Sequence, residues 1–240
     1  CGGSWGRGNE HFSERQRLAG QRDDAGEGAG APNLAMNPHP LESLLRTRLD
    51  PLDRIAPSVR TRSDRDLNPD WSETPAEWRA AAVLAPIVMR PEGWTMLFTQ
   101  RAEETPAHPG QISFPGGRVQ PEDASPVETA LRETHEEIGL ARDLITPLGA
   151  WDAYETGTGF RITPIVGLVT PDFSLTLDSR EVAGVFEAPL SFLFDPANHE
   201  RREGEWRGVT RAYYAMPYGD RFIWGATAGM IRALWERLYG

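Results

Sequence analysis

The chain has 240 residues, 25 of them basic and 35 acidic, for a formal charge of −10. That length fits one domain of roughly 150–200 residues plus extensions, or two small ones, and buries a sizeable core without staples. The acidic balance argues against a general nucleic-acid coat or a polybasic membrane patch. The single cysteine excludes a disulfide framework and a multi-cysteine zinc site, and no run reaches the ~18 apolar residues of a membrane helix. All 25 basic residues are arginine. Without lysine there is no Schiff-base chemistry and no P-loop, whose motif needs Lys before Ser or Thr.

Residues 1–35 are rich in Gly and contain no Val or Ile, so they are expected to be a disordered extension. The hydrophobic pattern starts soon after Met36, the expected natural start. A processed lipoprotein acylated at Cys1 is the alternative. Gly26, Gly28 and Gly30 imitate part of a dinucleotide loop but lack the preceding strand. Residues 40–49 read as a short helix, and 56–78, rich in Arg, Asp and Pro, as a surface connection. Apolar runs bounded by turn residues predict strands at 81–89, 94–101, 110–115, 144–151, 161–170 and 181–188. Residues 126–138 and 226–239 read as helices, the second with Met230, Ile231, Leu234, Trp235 and Leu238 on one stripe. Strands interrupted by two helices predict a mixed-sheet α/β domain over 80–240, preceded by a helix and connection over 36–79.

The segment 116–140 carries the chemistry. Ser125 can cap a helix, Pro126 fits its first position, Glu128 completes a capping box and Gly139 is a natural stop. Val127, Leu131, Thr134 and Ile138 share the stripe expected to be buried. Glu133, Glu136 and Glu137 converge within about 100° on another face. They lie in the C-terminal half, where the helix dipole disfavours anions. Each like-charge pair at i, i+4 adds roughly 0.2–0.5 kcal/mol of repulsion. Arg132, four residues from both Glu128 and Glu136, offsets part of it. A carboxylate cluster that opposes both local rules points to function over stability, and an all-oxygen set suits Mg²⁺ or Mn²⁺ over Zn²⁺. His135 points elsewhere and reads as an exposed helix residue. Gly116 and Gly117, ahead of the helix, read as a tight turn or as a close backbone approach to a ligand.

Gly117 followed by Arg132-Glu133-Thr134-His135-Glu136-Glu137-Ile138-Gly139-Leu140 resembles the Nudix box, the signature of hydrolases of nucleoside diphosphates linked to another moiety. Asp123 stands where that family usually has Glu, eight residues rather than seven separate it from Arg132, and Thr134 replaces an aliphatic residue. Leu97-Phe98-Thr99-Gln100-Arg101-Ala102 and Gly110-Gln111-Ile112-Ser113-Phe114-Pro115-Gly116-Gly117 resemble the extended signature of the coenzyme A pyrophosphatases, although Pro106 stands where Arg is usual. The likeness continues through Thr163–Gly167, Glu181-Val182, Pro189-Leu190 and Ile223–Ala228.

The resemblance implies a Nudix-type α/β/α sandwich with a mixed sheet. It implies hydrolysis of the pyrophosphate of coenzyme A or its thioesters to 3′,5′-ADP and (acyl-)4′-phosphopantetheine, dependent on Mg²⁺ or Mn²⁺. Glu133, Glu136 and Glu137 would hold the metal, which neutralises pyrophosphate oxygens and acidifies a water. Glu181 is the candidate base or further ligand, and otherwise an exposed strand-edge residue. Arg132 is expected mainly to hold the glutamates. Arg101, Gly116 and Gly117 are expected at the substrate, and Trp151, Tyr154, Phe160 and Trp224 in core packing or on adenine. Thr156–Gly159 reads as a flexible loop near the site. The expected partner is a nucleotide of the coenzyme A class in the cytoplasm, with no nucleic acid and no membrane. A hydrolase of ADP-ribose or a dinucleotide, and a non-catalytic nucleotide sensor, are the alternatives.

Overall fold

The structure, a computed structural model, describes residues 40–55, 61–71, 74–105, 108–206 and 208–240. The extension 1–35, Met36 and Pro106 lie outside the described residues. In chain order the elements are α1 (Pro40–Arg48), β1 (Thr61–Ser63), β2 (Arg79–Val88), β3 (Thr95–Arg101), β4 (Ile112–Ser113), β5 (Gly116–Arg118), α2 (Pro126–Ile138), β6 (Ile145–Ala150), β7 (Ala153–Glu155), β8 (Phe160–Val169), β9 (Val182–Pro189), α3 (Leu190–Leu193), β10 (Glu200–Trp206), β11 (Val209–Tyr218), β12 (Arg221–Trp224) and α4 (Gly225–Tyr239).

β2 is the centre of the main sheet. It pairs in parallel with β8 along its whole length and antiparallel with β3 and β5. The path β1-β7-β8-β2-β3-β4 is completed by β6 on β8 and β9 on β3. Such a strand, covered on both faces, reads as a continuous apolar run, which is why 81–89 was legible as a strand. Its side chains alternate between two cores. Ala82, Leu84 and Val88 face the cluster built with Ala130, Leu131 and Ile138 of α2. Val83, Ala85 and Ile87 face the cluster built with Leu45 of α1 and Ala228, Ile231 and Leu234 of α4. The expected α/β/α sandwich with a mixed sheet is the observed one.

The predicted strands and helices fall within a residue or two of the observed elements, except 110–115, of which only Ile112–Ser113 is strand, while β5 begins after it at Gly116. Part of the expected surface connection is instead structure: β1 pairs in parallel with β7 at the sheet edge. The antiparallel sheet β10-β11-β12 was not expected. Its first strand, Glu-Arg-Arg-Glu-Gly-Glu-Trp, carries no apolar alternation and is ordered by pairing with β11. The loop 156–159 is a closed turn: the Thr156 hydroxyl accepts the Phe160 N–H at 3.1 Å, and the Gly157 N–H donates to Asp64 at 3.1 Å. Trp151 and Tyr154 are core residues, whereas Trp224 stays on the surface beside Tyr213. No helix among the described residues is long and apolar enough to cross a membrane.

Candidate active site

Local chemistry sets the limits of α2. The Ser125 hydroxyl accepts the Glu128 N–H at 3.3 Å, Pro126 occupies the first helical position, and Gly139 closes the helix at φ +68°. The reciprocal half of the expected capping box is not made, because the Glu128 carboxylate pairs with Arg142. Leu131, Thr134 and Ile138 are buried as expected, with the Thr134 hydroxyl bonded back to the Ala130 carbonyl at 2.6 Å. His135 is exposed.

The three glutamates do not share one environment. Glu137 is only 5% exposed. Its carboxylate accepts the Gly116 N–H at 3.1 Å. Glu133 is half-buried against Gly117, and the Glu136 side chain is 57% exposed. Both glycines are required by space. At Gly116, φ is +151° and a Cβ would lie 2.5 Å from the Ala82 carbonyl. A Cβ on Gly117 would lie 2.4 Å from Glu133 Oε2. The turn Phe114–Gly117 thus becomes a backbone wall against two carboxylates, by way of β5 on β2.

Arg132 organises the polar side of this wall. Its Nε and Nη2 grip Asp123 at 2.9 Å each, and Nη1 reaches Glu133 at 2.8 Å and Glu136 at 3.0 Å. Nη2 also donates to the Arg118 carbonyl at 3.2 Å. Of the two expected helix partners Arg132 takes Glu136 and not Glu128. Its main partner, Asp123, had no assigned role in the sequence. Asp123 further accepts the Gln120 N–H at 2.9 Å and the Thr129 hydroxyl at 2.8 Å. Held first by Arg132 and then by Gln120, its carboxyl lies well below the usual carboxylate range.

Electrostatics single out Glu137. Burial pushes its carboxyl up to about 8, with Glu133 and Glu181 adding repulsion and the Gly116 N–H and Arg101 opposing. Burial also raises Glu133, helped by Glu136 and Glu181 and opposed by Arg132. Arg101, at the end of β3, therefore acts on Glu137, and Glu181, just before β9, acts on both Glu133 and Glu137. Glu181 is exposed, and its carbonyl accepts the Ala102 N–H at 2.8 Å. Glu133, Glu137, Glu181, Arg101, Arg132, Gly116 and Gly117 are brought together. Glu136 joins them at the rim through Arg132.

Among the described residues no three His, Cys, Asp or Glu side chains close around one point as a finished ion cage. Glu133 and Glu136 are drawn toward Arg132 instead. The donor set is nonetheless oxygen-only and short of positive charge at Glu137, which is the chemistry a hard divalent cation fits. A cavity of about 440 Å³ lined by Asn68, Trp71, Arg201 and Arg211 shares no residue with this cluster.

Residues 78–221 match the NUDIX domain. The chain is 39% identical over 168 residues to a protein of Enterobacter sp. (strain 638) named uncharacterized Nudix hydrolase NudL, covering 70% of this chain and 87% of that one. It is 40% identical over 158 residues to the protein of the same name from Yersinia enterocolitica, covering 66% of this chain and 80% of that one. A solved C. elegans Ap4A hydrolase binary complex is similar at TM-score 0.41 and 20% identity, over 46% of this chain and 80% of that one. The domain match and the two relatives establish that this chain belongs to the Nudix family, as a pyrophosphohydrolase of nucleoside diphosphate derivatives.

Proposed function

We propose that this enzyme acts in the cytoplasm on coenzyme A or its thioesters, cleaving the pyrophosphate to 3′,5′-ADP and (acyl-)4′-phosphopantetheine. The observation that carries the reading is where the two halves of the coenzyme A signature meet. β3 ends in Arg101, whose charge acts on Glu137, and the second half includes Gly116, whose N–H donates to Glu137. Both halves of the signature therefore converge on one buried carboxylate.

Glu133, Glu136 and Glu137 would hold Mg²⁺ or Mn²⁺. Bound there, a divalent cation supplies the positive charge that offsets the anionic pyrophosphate oxygens. Arg132, anchored by Asp123, keeps Glu133 and Glu136 oriented and limits their mutual repulsion. Gly116 and Gly117 leave room for the diphosphate beside the helix. Glu181 accepts the proton of the attacking water or serves as a further ligand. General-base help of this kind is typically worth ~10²–10⁴ in rate.

The test is a chromatographic product assay with coenzyme A, dephospho-coenzyme A, ADP-ribose, NADH and Ap4A, each with Mg²⁺ and Mn²⁺. The expected result is 3′,5′-ADP from coenzyme A at the highest kcat/KM of the panel, and no turnover in EDTA. Faster cleavage of ADP-ribose or Ap4A would replace the coenzyme A reading with that substrate. Binding without turnover of any of them would make the domain a sensor.

A further inference from the structure

Phe160 opens β8 partly buried, and two guanidinium groups converge on its ring. The Arg79 Cζ lies 3.9 Å from the ring centroid and the Arg118 Cζ 5.4 Å. Both arginines are exposed. Arg79 also donates to the Thr158 carbonyl at 2.5 Å. Among the described residues neither pairs with a carboxylate, whereas Arg62, Arg90, Arg132, Arg161 and Arg237 all do. Both keep their charge unpaired by the described carboxylates although the chain as a whole is at −10. The aromatic face attracts each guanidinium through its ring quadrupole. It holds the forks in place and leaves their charge available.

Their position in the fold matters as much as their charge. Arg118 directly follows Gly117, the residue against Glu133, and its carbonyl accepts Arg132 Nη2. β5, β2 and β8 are neighbours, with Arg118 opposite Ala81 and Arg79 opposite Phe160. The two cations therefore come from the same end of three adjacent strands, and Arg118 is one residue from the carboxylate wall. Arg101 is less suited to a distal group, because its charge acts on Glu137.

We infer that Arg79 and Arg118, supported by Phe160, form a subsite for a phosphate monoester that the substrate carries beyond its pyrophosphate. The inference rests on the coenzyme A reading above, in which that group is the ribose 3′-phosphate. Guanidinium forks match phosphate oxygens two at a time. A dianionic phosphate also relieves the repulsion between the two forks. ADP-ribose and dephospho-coenzyme A lack this group, so the subsite discriminates against both.

The experiment compares kcat/KM for coenzyme A and dephospho-coenzyme A in the wild type, Arg118→Gln and Arg79→Gln. The control is Arg202→Gln, at a guanidinium that lies over Phe222 in the other sheet. Calorimetric titration with 3′,5′-ADP and with AMP reads the same subsite without turnover. The wild type is expected to prefer coenzyme A by about 10- to 100-fold, the size of one charge-assisted contact shared by the two forks. Each active-end variant should bring that ratio close to one and weaken 3′,5′-ADP by a similar factor, while Arg202→Gln keeps both. If melting shows that Arg79→Gln is unfolded, exposed Arg118 alone decides. A wild-type preference that survives both substitutions overturns this subsite and leaves the proposed function standing. No wild-type preference, with ADP-ribose cleaved faster than either, overturns the coenzyme A reading and the subsite with it.

Discussion

Asp152 and Glu137 are both buried carboxylates, 3% and 5% exposed. Asp152 lies at the seam where α4 and the β1 edge meet the sheet. It accepts Arg237 Nη1 at 2.7 Å and Arg62 Nε at 3.4 Å. Arg237 also pairs with Asp50 and donates to the Arg48 carbonyl, and Arg62 also pairs with Glu236. Glu137 has a backbone N–H at 3.1 Å and the charge of Arg101, set against burial and the carboxylates of Glu133 and Glu181. A charge taken out of water persists when its partners offset the lost hydration. Around Asp152 they do, and the carboxylate fastens the fold. Around Glu137 they do not, so packing of the rest of α2 holds the carboxylate where it would not settle alone. The same burial thus marks a fastener in one place and a functional group in the other.

The largest expected effect comes from removing the charge at Glu137 while keeping its shape. Glu137→Gln should lower turnover by at least ~10²-fold, since one member of the carboxylate set that would hold the cation is lost. Its melting temperature should hold or rise, because repulsion with Glu133 and Glu181 falls. Near-normal turnover at saturating Mg²⁺ would remove Glu137 from the ligand set. A clear loss of stability would instead make it a fastener like Asp152.

The opposite pattern is expected at Asp152. Asp152→Ala strands two arginines that retain only their outer partners. Breaking a buried pair typically removes about 3–5 kcal/mol, and the remaining contacts to Asp50 and Glu236 place this case near the lower end. Urea unfolding should show a shifted midpoint with an unchanged slope, while kcat per folded molecule stays at the wild-type value. A shift under about 0.5 kcal/mol would mean that the Arg237 network closes without Asp152.

The contrast explains what the chain alone made legible. α2 was readable because caps, the Pro start, the Gly stop and the apolar stripe are all local rules acting within a few residues. The central strands were readable because coverage on both faces leaves a continuous apolar run. Helix periodicity sets Glu137 beside the apolar stripe and Glu136 across from it. What no local rule shows is the partner Glu137 meets there, Gly116 on β5, brought to the helix through its pairing with β2. Arg132 was read through i, i+4 spacing. Its stronger partner, Asp123, is nine residues away across the turn before the helix. Asp152 and its arginines draw on positions 62 and 237, a separation no single-sequence pattern reports. β10 was missed because Glu-Arg-Arg-Glu-Gly-Glu has no apolar face to announce it, whereas β11 and β12 carry apolar and aromatic residues that were not read as strands.

The remaining expected effect is a dependence of stability on pH, and it isolates the cause of the strain at Glu137. Its carboxyl is pushed up to about 8 from an ordinary 4.5, chiefly by burial. The folded chain therefore holds this proton more tightly than the unfolded chain does. The stability it contributes is full below pH ~4.5 and is lost as pH rises from there through about 8. In EDTA the melting temperature of the wild type should fall over that window by a few degrees more than that of Glu137→Gln, which cannot titrate at this position. Subtracting the two curves cancels the titrating groups that do not interact with Glu137. Adding Mg²⁺ should raise the wild-type melting temperature more at pH 8 than at pH 5, because the cation favours the ionised form the fold alone disfavours. Parallel curves for the two proteins in EDTA would mean that Glu137 is ionised without strain, and the contrast with Asp152 would then lose its electrostatic basis.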